Sequence, residues 1–275
     1  ADGKGKPRIS LFGQRRLIAA SESERVAKDL GLRRHRCSTL LKPGEYQILQ
    51  IEAPAVPQAE VREAVRWRLK DLLDYPADQA TLDVLRFPPQ AEVAGRSPSL
   101  YAVAARNESV RSCMERFLAA RLALSVIDIP EMARRNMAAL CEEEGRGLAM
   151  LHADEEACTL TINFRAELLI ARRIEIGCRH FEAGERERTE GFERIALEMQ
   201  RTFDLLDRQY PGVVLSRLLV GPMAQDFGLT TYLQQNLGMR IEALELARWM
   251  DFEGAVPEPA VQWRLFHLLG AALRH

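Results

Sequence analysis

Two hydrophobic rhythms alternate along the chain. Short runs with period two, or with continuous apolar character, mark strands; longer stretches with apolar residues every third or fourth position mark helices. In the first half the strand rhythm falls over residues 8–12, 37–41, 46–52, 81–87, 100–105 and 124–129. In the second half it falls over 148–152, 159–164, 168–176, 216–220 and 241–243. One stretch stands out, "GLAMLHADEEACTLTI" over 147–162, where two apolar runs flank an acidic corner, Asp154-Glu155-Glu156. Strand, tight turn, strand is also how several nucleotide-binding folds wrap a phosphate with backbone N–H groups.

The helical rhythm carries its own start and stop signals. Ser21-x-x-Glu24 reads as a capping box before Val26, Ala27 and Leu30, and Gly31 closes that helix. Pro57 opens "QAEVREAVRWRLKDLLDY", whose stripe is Val61, Val65, Leu69, Leu72 and Leu73. Asn107 starts a helix with Val110, Cys113, Met114 and Phe117 inward, and Asp128-x-x-Glu131 caps another that ends near Leu140. After a polar Glu/Arg-rich loop, a long helix over 191–209 buries Phe192, Ala196, Met199, Phe203 and Leu206. Short and closing helices are predicted over 232–237 and from Pro259 onward. Asp2 to Lys6 is turn chemistry ahead of the 8–12 strand, so an earlier strand or hairpin is expected before it. Each half has meandering strands, crossover helices and parallel strands, which predicts an α/β protein of two similar lobes, 1–140 and 141–275.

Charge and composition narrow the function. Lys and Arg number 38 against 39 Asp and Glu, a formal charge of −1, so no long-range field draws the chain to nucleic acid or anionic lipid. The cluster Arg33-Arg34-His35-Arg36 is a local exception, read here as a solvated helix end. The five cysteines are odd in number and include no C-x-x-C pair, which argues against a zinc site or disulfide framework and for a reducing cytoplasm. No apolar run nears the roughly 20 residues of a membrane span, and no signal-peptide pattern opens the sequence. No nucleophile elbow, Walker loop or H-E-x-x-H occurs.

Three segments together carry a resemblance: "LKPGEYQILQIEAPAVPQAEVREAVRWRLKDLLDYPADQATLDVL", "SLYAVAARNESVRSCMERFLAARLALSVIDIPEMA", and the second-half strands with "LEMQRTFDLLDRQY". They resemble the PilM family, actin-like assembly proteins of type IV pili. The likeness runs from Pro7 to Arg274, without the family's first hairpin and its phosphate loop. It implies an actin-like, FtsA-type fold of two lobes, with an inserted α+β subdomain over about 42–122. It also implies a cytoplasmic protein, peripheral at the inner membrane, that binds the N-terminal tail of a PilN-like single-span partner and other platform components.

The resemblance sharpens the reading of the acidic corner. The family's second phosphate loop resembles Asp-Ile-Gly followed by hydroxyl residues; the matching positions here are His152-Ala153-Asp154, then Glu155-Glu156. Without glycine, backbone amides cannot approach a phosphate closely, and added carboxylates repel a polyanion. The adenosine loop, usually Gly-Gly, resembles Gly221-Pro222, where proline removes a donor. Glu198 and Arg201 match adenosine-side positions but also read as an ordinary solvated pair. The corner therefore reads as a phosphate loop that has lost its function. A metal held by His152, Asp154, Glu155 and Glu156 is disfavoured, because consecutive turn residues seldom converge. No catalytic residue, cofactor or metal is expected. The competing expectation is an ATP/Mg-dependent ATPase whose first phosphate loop lies outside this sequence; a type II secretion module is a third. Trp67 falls opposite the apolar stripe of its helix, so it is either a partner contact or a residue packed under a neighbouring loop.

Overall fold

The structure is a computed structural model and describes residues 5–15, 20–88 and 98–274. Among the described residues the backbone divides into two compact units, one of residues 5–12, 88 and 131–274 and one of 13–15, 20–87 and 98–130.

The smaller unit holds α1 (Ala20–Asp29), β2 (Cys37–Leu40), β3 (Tyr46–Glu52), α2 (Val61–Leu69), β4 (Ala80–Arg86), β5 (Ser99–Arg106), α3 (Asn107–Ala119) and β6 (Leu124–Asp128). Strands β2 and β6 pair in parallel. The segment between β2 and α3 folds as an antiparallel sheet in the order β3-β5-β4. Alternation along these strands puts Leu49, Ile51, Leu82, Leu100, Ala102 and Ala104 on one face, where Val61, Val65 and Leu69 of α2 bury against them. At about 25 cal/mol per Å² of apolar surface, that face is what holds α2 in place.

Two expectations for this unit need correction. Helix α2 stops at Leu69, so Leu72 leaves the stripe and is exposed, while Leu73 packs at the core's margin. On α3 only Cys113 is fully buried, and Met114 faces outward, because α3 is covered along a narrow strip. Gly31 does close α1 with a left-handed φ of 66°, but the Glu24 carboxylate pairs with Arg33 and Arg121. The side chain of Ser21 and most of the 88–98 loop lie outside the described residues.

The larger unit is built on α4 (Pro130–Cys141), β7 (Gly147–Ala153), β8 (Cys158–Phe164), β9 (Glu167–Ile174), α5 (Cys178–Ala183), α6 (Glu185–Gln209), β10 (Leu215–Val220), α7 (Leu229–Asn236), β11 (Ile241–Ala243), β12 (Asp251–Phe252) and α8 (Pro259–Ala272). Its sheet has the order β11-β10-β7-β8-β9, with β7 parallel to β10 and antiparallel to β8. Every residue of β7 and β8 is buried, including the polar Thr159, Thr161 and Asn163 that alternate with apolar residues along β8. The predicted 8–12 strand shrinks to β1 (Arg8–Ile9), which pairs in parallel with β12. The Glu/Arg-rich stretch expected as a loop is helical, for both residue types favour helix and Arg186 pairs with Glu190 one turn on. Among the described residues no helix is long and apolar enough to cross a membrane.

Candidate functional site

Period-two alternation decides where the acidic corner points. Leu148 and Met150 of β7 belong to the core formed with Met137, Ala138 and Cys141 of α4 and Leu265, Phe266 and Leu269 of α8. His152 lies two residues further along the same strand face, so its ring enters the same layer. There it stacks on Phe266, with ring centroids 4.4 Å apart, and meets His267 edge-on at 4.8 Å.

Two close approaches fix this layer. A Cβ on Gly270 would lie 2.2 Å from the carbonyl oxygen of Ala133, so only glycine lets α8 sit this tightly on α4. Asn136 bridges the same contact, donating to the Gly270 carbonyl at 2.9 Å. Because α8 is so close, His267 reaches Arg134 of α4, and Arg134 Nη1 donates to His267 Nε2 at 2.8 Å. On the other side, a Cβ on Gly221 would lie 2.8 Å from His152 Nδ1. The predicted adenosine-loop glycine is thus required by the histidine beside it. Pro222 follows it at the end of β10.

The polar groups form one connected set. Glu131 pairs with the buried Arg134 at 3.1 Å. An arginine can only donate, so His267 Nε2 accepts and Nδ1 carries the proton, 3.9 Å from Asp154 Oδ1. His152 Nε2 lies 3.3 Å from the same oxygen, off the hydrogen-bond direction, leaving both its ring nitrogens buried without an aligned partner. Burial lowers the pKa of both histidines, most strongly for His267, which also faces His152 and Arg134. For Asp154 burial raises the pKa, but His152, His267 and Arg134 outweigh it and hold the carboxyl at about 2.

Could this set hold a metal? Among the described residues, the ligand atoms of His152, Asp154 and His267 fall within 4.8 Å of one another. Ligation through His267 Nδ1 would displace the proton that Arg134 places there, and would set Nε2–H against a guanidinium. A ligating histidine normally gives its second N–H to an acceptor.

The corner itself is a self-paired turn. Asp154 N–H donates to Ala157 O at 2.8 Å, and the carbonyls of Asp154 and Glu155 accept from Cys178 and Arg179 at 2.9 and 3.0 Å. Arg179 also pairs with the carboxylates of Glu155 and Glu156. A polyphosphate needs convergent N–H donors; these residues instead present carboxylates paired with Arg179 and carbonyls that accept from Cys178 and Arg179, and they do not fit one. The remaining predicted positions lie in a separate cluster. Arg172 of β9 forks onto Glu198 at 2.6 and 3.2 Å, and Arg201 adds a third contact at 2.7 Å. The hydrogen bond from Arg172 lowers the Glu198 pKa, with Arg201 assisting against burial. Trp67, 69% exposed, stands away from its own core with Lys70 Nζ 5.9 Å from its ring centroid.

Sequence reasoning missed Arg134, Phe266 and His267, and it read Glu131 only as a helix cap. The available signals were an arginine in the apolar stripe of "PEMARRNMAALC" and a histidine within "RLFHLLG".

This set makes a pH prediction. Both histidines are held neutral when folded, so the unfolded chain binds more protons below its ordinary histidine pKa of 6.5. Stability is then full above pH 6.5 and falls as acid is added, by up to about 1.4 kcal/mol per pH unit for each histidine. Asp154 adds a second loss between 3.8 and about 2. Urea titrations from pH 7.5 to 5 are expected to show this slope, and His267→Gln should remove one proton from it.

A five-stranded sheet of order β11-β10-β7-β8-β9 with crossover helices in one unit, and an inserted antiparallel sheet in the other, match the actin-like α/β class. Among solved structures the chain is similar to a chain of the PilM–PilN type IV pilus biogenesis complex, with 21% identity and a TM-score of 0.69 over 92% of this chain and 83% of that one. It is also similar to the cytoplasmic domain of EpsL, an inner-membrane component of the Vibrio cholerae type II secretion system, with 11% identity and a TM-score of 0.46 over 90% and 80%. A Bacteroides thetaiotaomicron protein of actin-like ATPase fold and unknown function gives 7% identity and 0.46 over 82% and 76%. No family model and no curated protein matches the chain.

Proposed function

We propose that this chain is a non-catalytic scaffold of a type IV pilus assembly platform, of the MSHA type served by MshI, and that it works by binding protein. Its lobes would be residues 1–140 and 141–275, and it would sit at the cytoplasmic face of the inner membrane through its partners. The observation that carries this reading is the fold likeness to a PilM–PilN complex chain over 92% of the sequence. The self-paired corner at Asp154 supports the non-catalytic part. The competing ATPase reading draws on the actin-like fold alone, and it meets a corner whose Asp154 N–H and whose Glu155 and Glu156 carboxylates are already paired.

The partner would be the N-terminal tail of a PilN-like inner-membrane protein, lodged between the inserted subdomain and the β2–β6 sheet. Backbone pairing plus one or two apolar side chains in pockets is a recurrent way to bind such a peptide. Trp67 supplies an exposed aromatic on that subdomain. Hydrogen exchange with and without a PilN-like tail peptide tests this: protection within 42–122 is expected, and its absence would place the partner elsewhere. Trp67→Ala should weaken the peptide about tenfold or more, as aromatic hot spots do, with the melting temperature unchanged. Intact affinity with lost stability would return Trp67 to a packing role.

A further inference from the structure

A chain with a formal charge of −1 offers no overall attraction to an anionic surface, yet one corner of the smaller unit concentrates charge of one sign. Residues 22–36 with Arg121 contain six Lys and Arg against three Asp and Glu. Glu24 is shared between Arg33 Nη2 at 2.8 Å and Arg121 Nε at 3.2 Å, which ties the turn after α1 to the end of α3. The backbone ties them again, since Cys37 N–H donates to Ala123 O at 3.0 Å and brings Arg36 beside the 121–123 turn. One carboxylate thus serves two guanidinium groups, while Arg34 and Arg36 are exposed with no carboxylate partner among the described residues.

A second, independent feature lies at the same corner. Leu118, three residues before Arg121, is 76% exposed, and Met114 one turn earlier is 56% exposed. Neither contributes to the core of its own unit. Exposed long apolar side chains on the helix that leads into Arg121, with exposed arginines tied to the turn after it, match what a bilayer interface takes: the apolar chains enter the acyl boundary and the guanidinium groups pair with headgroup phosphates. A soluble polyanion would use the arginines but leave Leu118 and Met114 in water.

We propose that this corner, formed by Arg33, Arg34, Arg36, Arg121, Leu118 and Met114, is a direct contact with an anionic lipid bilayer. It rests on the proposed inner-membrane role only for the identity of the surface, and it does not involve the peptide groove. Each basic residue near an anionic leaflet strengthens binding about fivefold, so the contact is weak, reversible and salt-sensitive.

Co-sedimentation of the full chain with vesicles tests it, using phosphatidylcholine alone and phosphatidylcholine with 30% phosphatidylglycerol, a composition set on the order of the anionic content of a bacterial membrane. Binding is expected only to the anionic vesicles at low salt, and it should be lost at high salt. Arg34→Glu with Arg36→Glu should weaken it about tenfold or more, and Leu118→Ser by a smaller factor. Unchanged circular dichroism would show that both variants fold. Equal binding to both vesicle types, no binding to the anionic ones, or undiminished binding by the double variant would overturn the proposal. Capture by heparin without vesicle binding would overturn it too, assigning the corner to a soluble polyanion. Tail-peptide affinity measured on the same preparation separates this failure from failure of the scaffold reading.

Discussion

Gly270→Ala is expected to destabilise the larger unit by about 3 kcal/mol or more, measured as unfolding free energy in urea. The added methyl would stand 2.2 Å from the Ala133 carbonyl oxygen, and a backbone atom cannot swing aside as a side chain can. Either α8 lifts from α4 or both helices bend. Lifting would break the Asn136 bridge to Gly270 and carry His267 away from Arg134. The variant should therefore also lose part of the acid-dependent slope that the histidines produce. A variant as stable as the parent would mean that the two helices are not packed as closely as described.

Glu131→Ala is expected to cost about 3 kcal/mol, because it leaves the buried guanidinium of Arg134 without its carboxylate. Glu131 also stands in the first turn of α4, where a negative charge is favourable, so the two losses share a sign. Glu131→Gln keeps an acceptor for Arg134 and should cost clearly less. If the two variants lose the same stability, the charge of Glu131 does not matter. Thermal melts at pH 7.5, where both histidines are neutral, give the comparison without the titration effect.

These two tests rest on contacts that the sequence did not reveal, since Gly270 was not singled out and Glu131 was read only as a helix cap, and the reason is physical. Local rhythm predicts elements well where each strand or helix buries one face, as with Tyr46–Glu52 and α8 from Pro259. The acidic corner was legible as a turn, because turn chemistry is local. What the corner's carboxylate meets is a different matter. His267 stands more than a hundred residues from Asp154, and only the parity of β7 and the tight α4–α8 crossing bring them together. Period two would have placed His152 on the face of Leu148 and Met150, but nothing local names α8 as the helix covering that face. The same limit explains Arg172, whose fork onto Glu198 joins β9 to α6. Leu72 and Met114 failed for another reason. A helical stripe marks which residues could be buried, while the length of the covering layer decides which of them are.

The scaffold proposed above would bind its partner without nucleotide, and a single titration addresses that combination. A PilN-like tail peptide is titrated into the chain by calorimetry, first alone and then with millimolar ATP and magnesium, with ATP also titrated by itself. The account predicts saturable peptide binding of equal affinity in both conditions and no saturable heat from ATP. Peptide binding that appears only with ATP, or saturable ATP binding in the micromolar range, would contradict it.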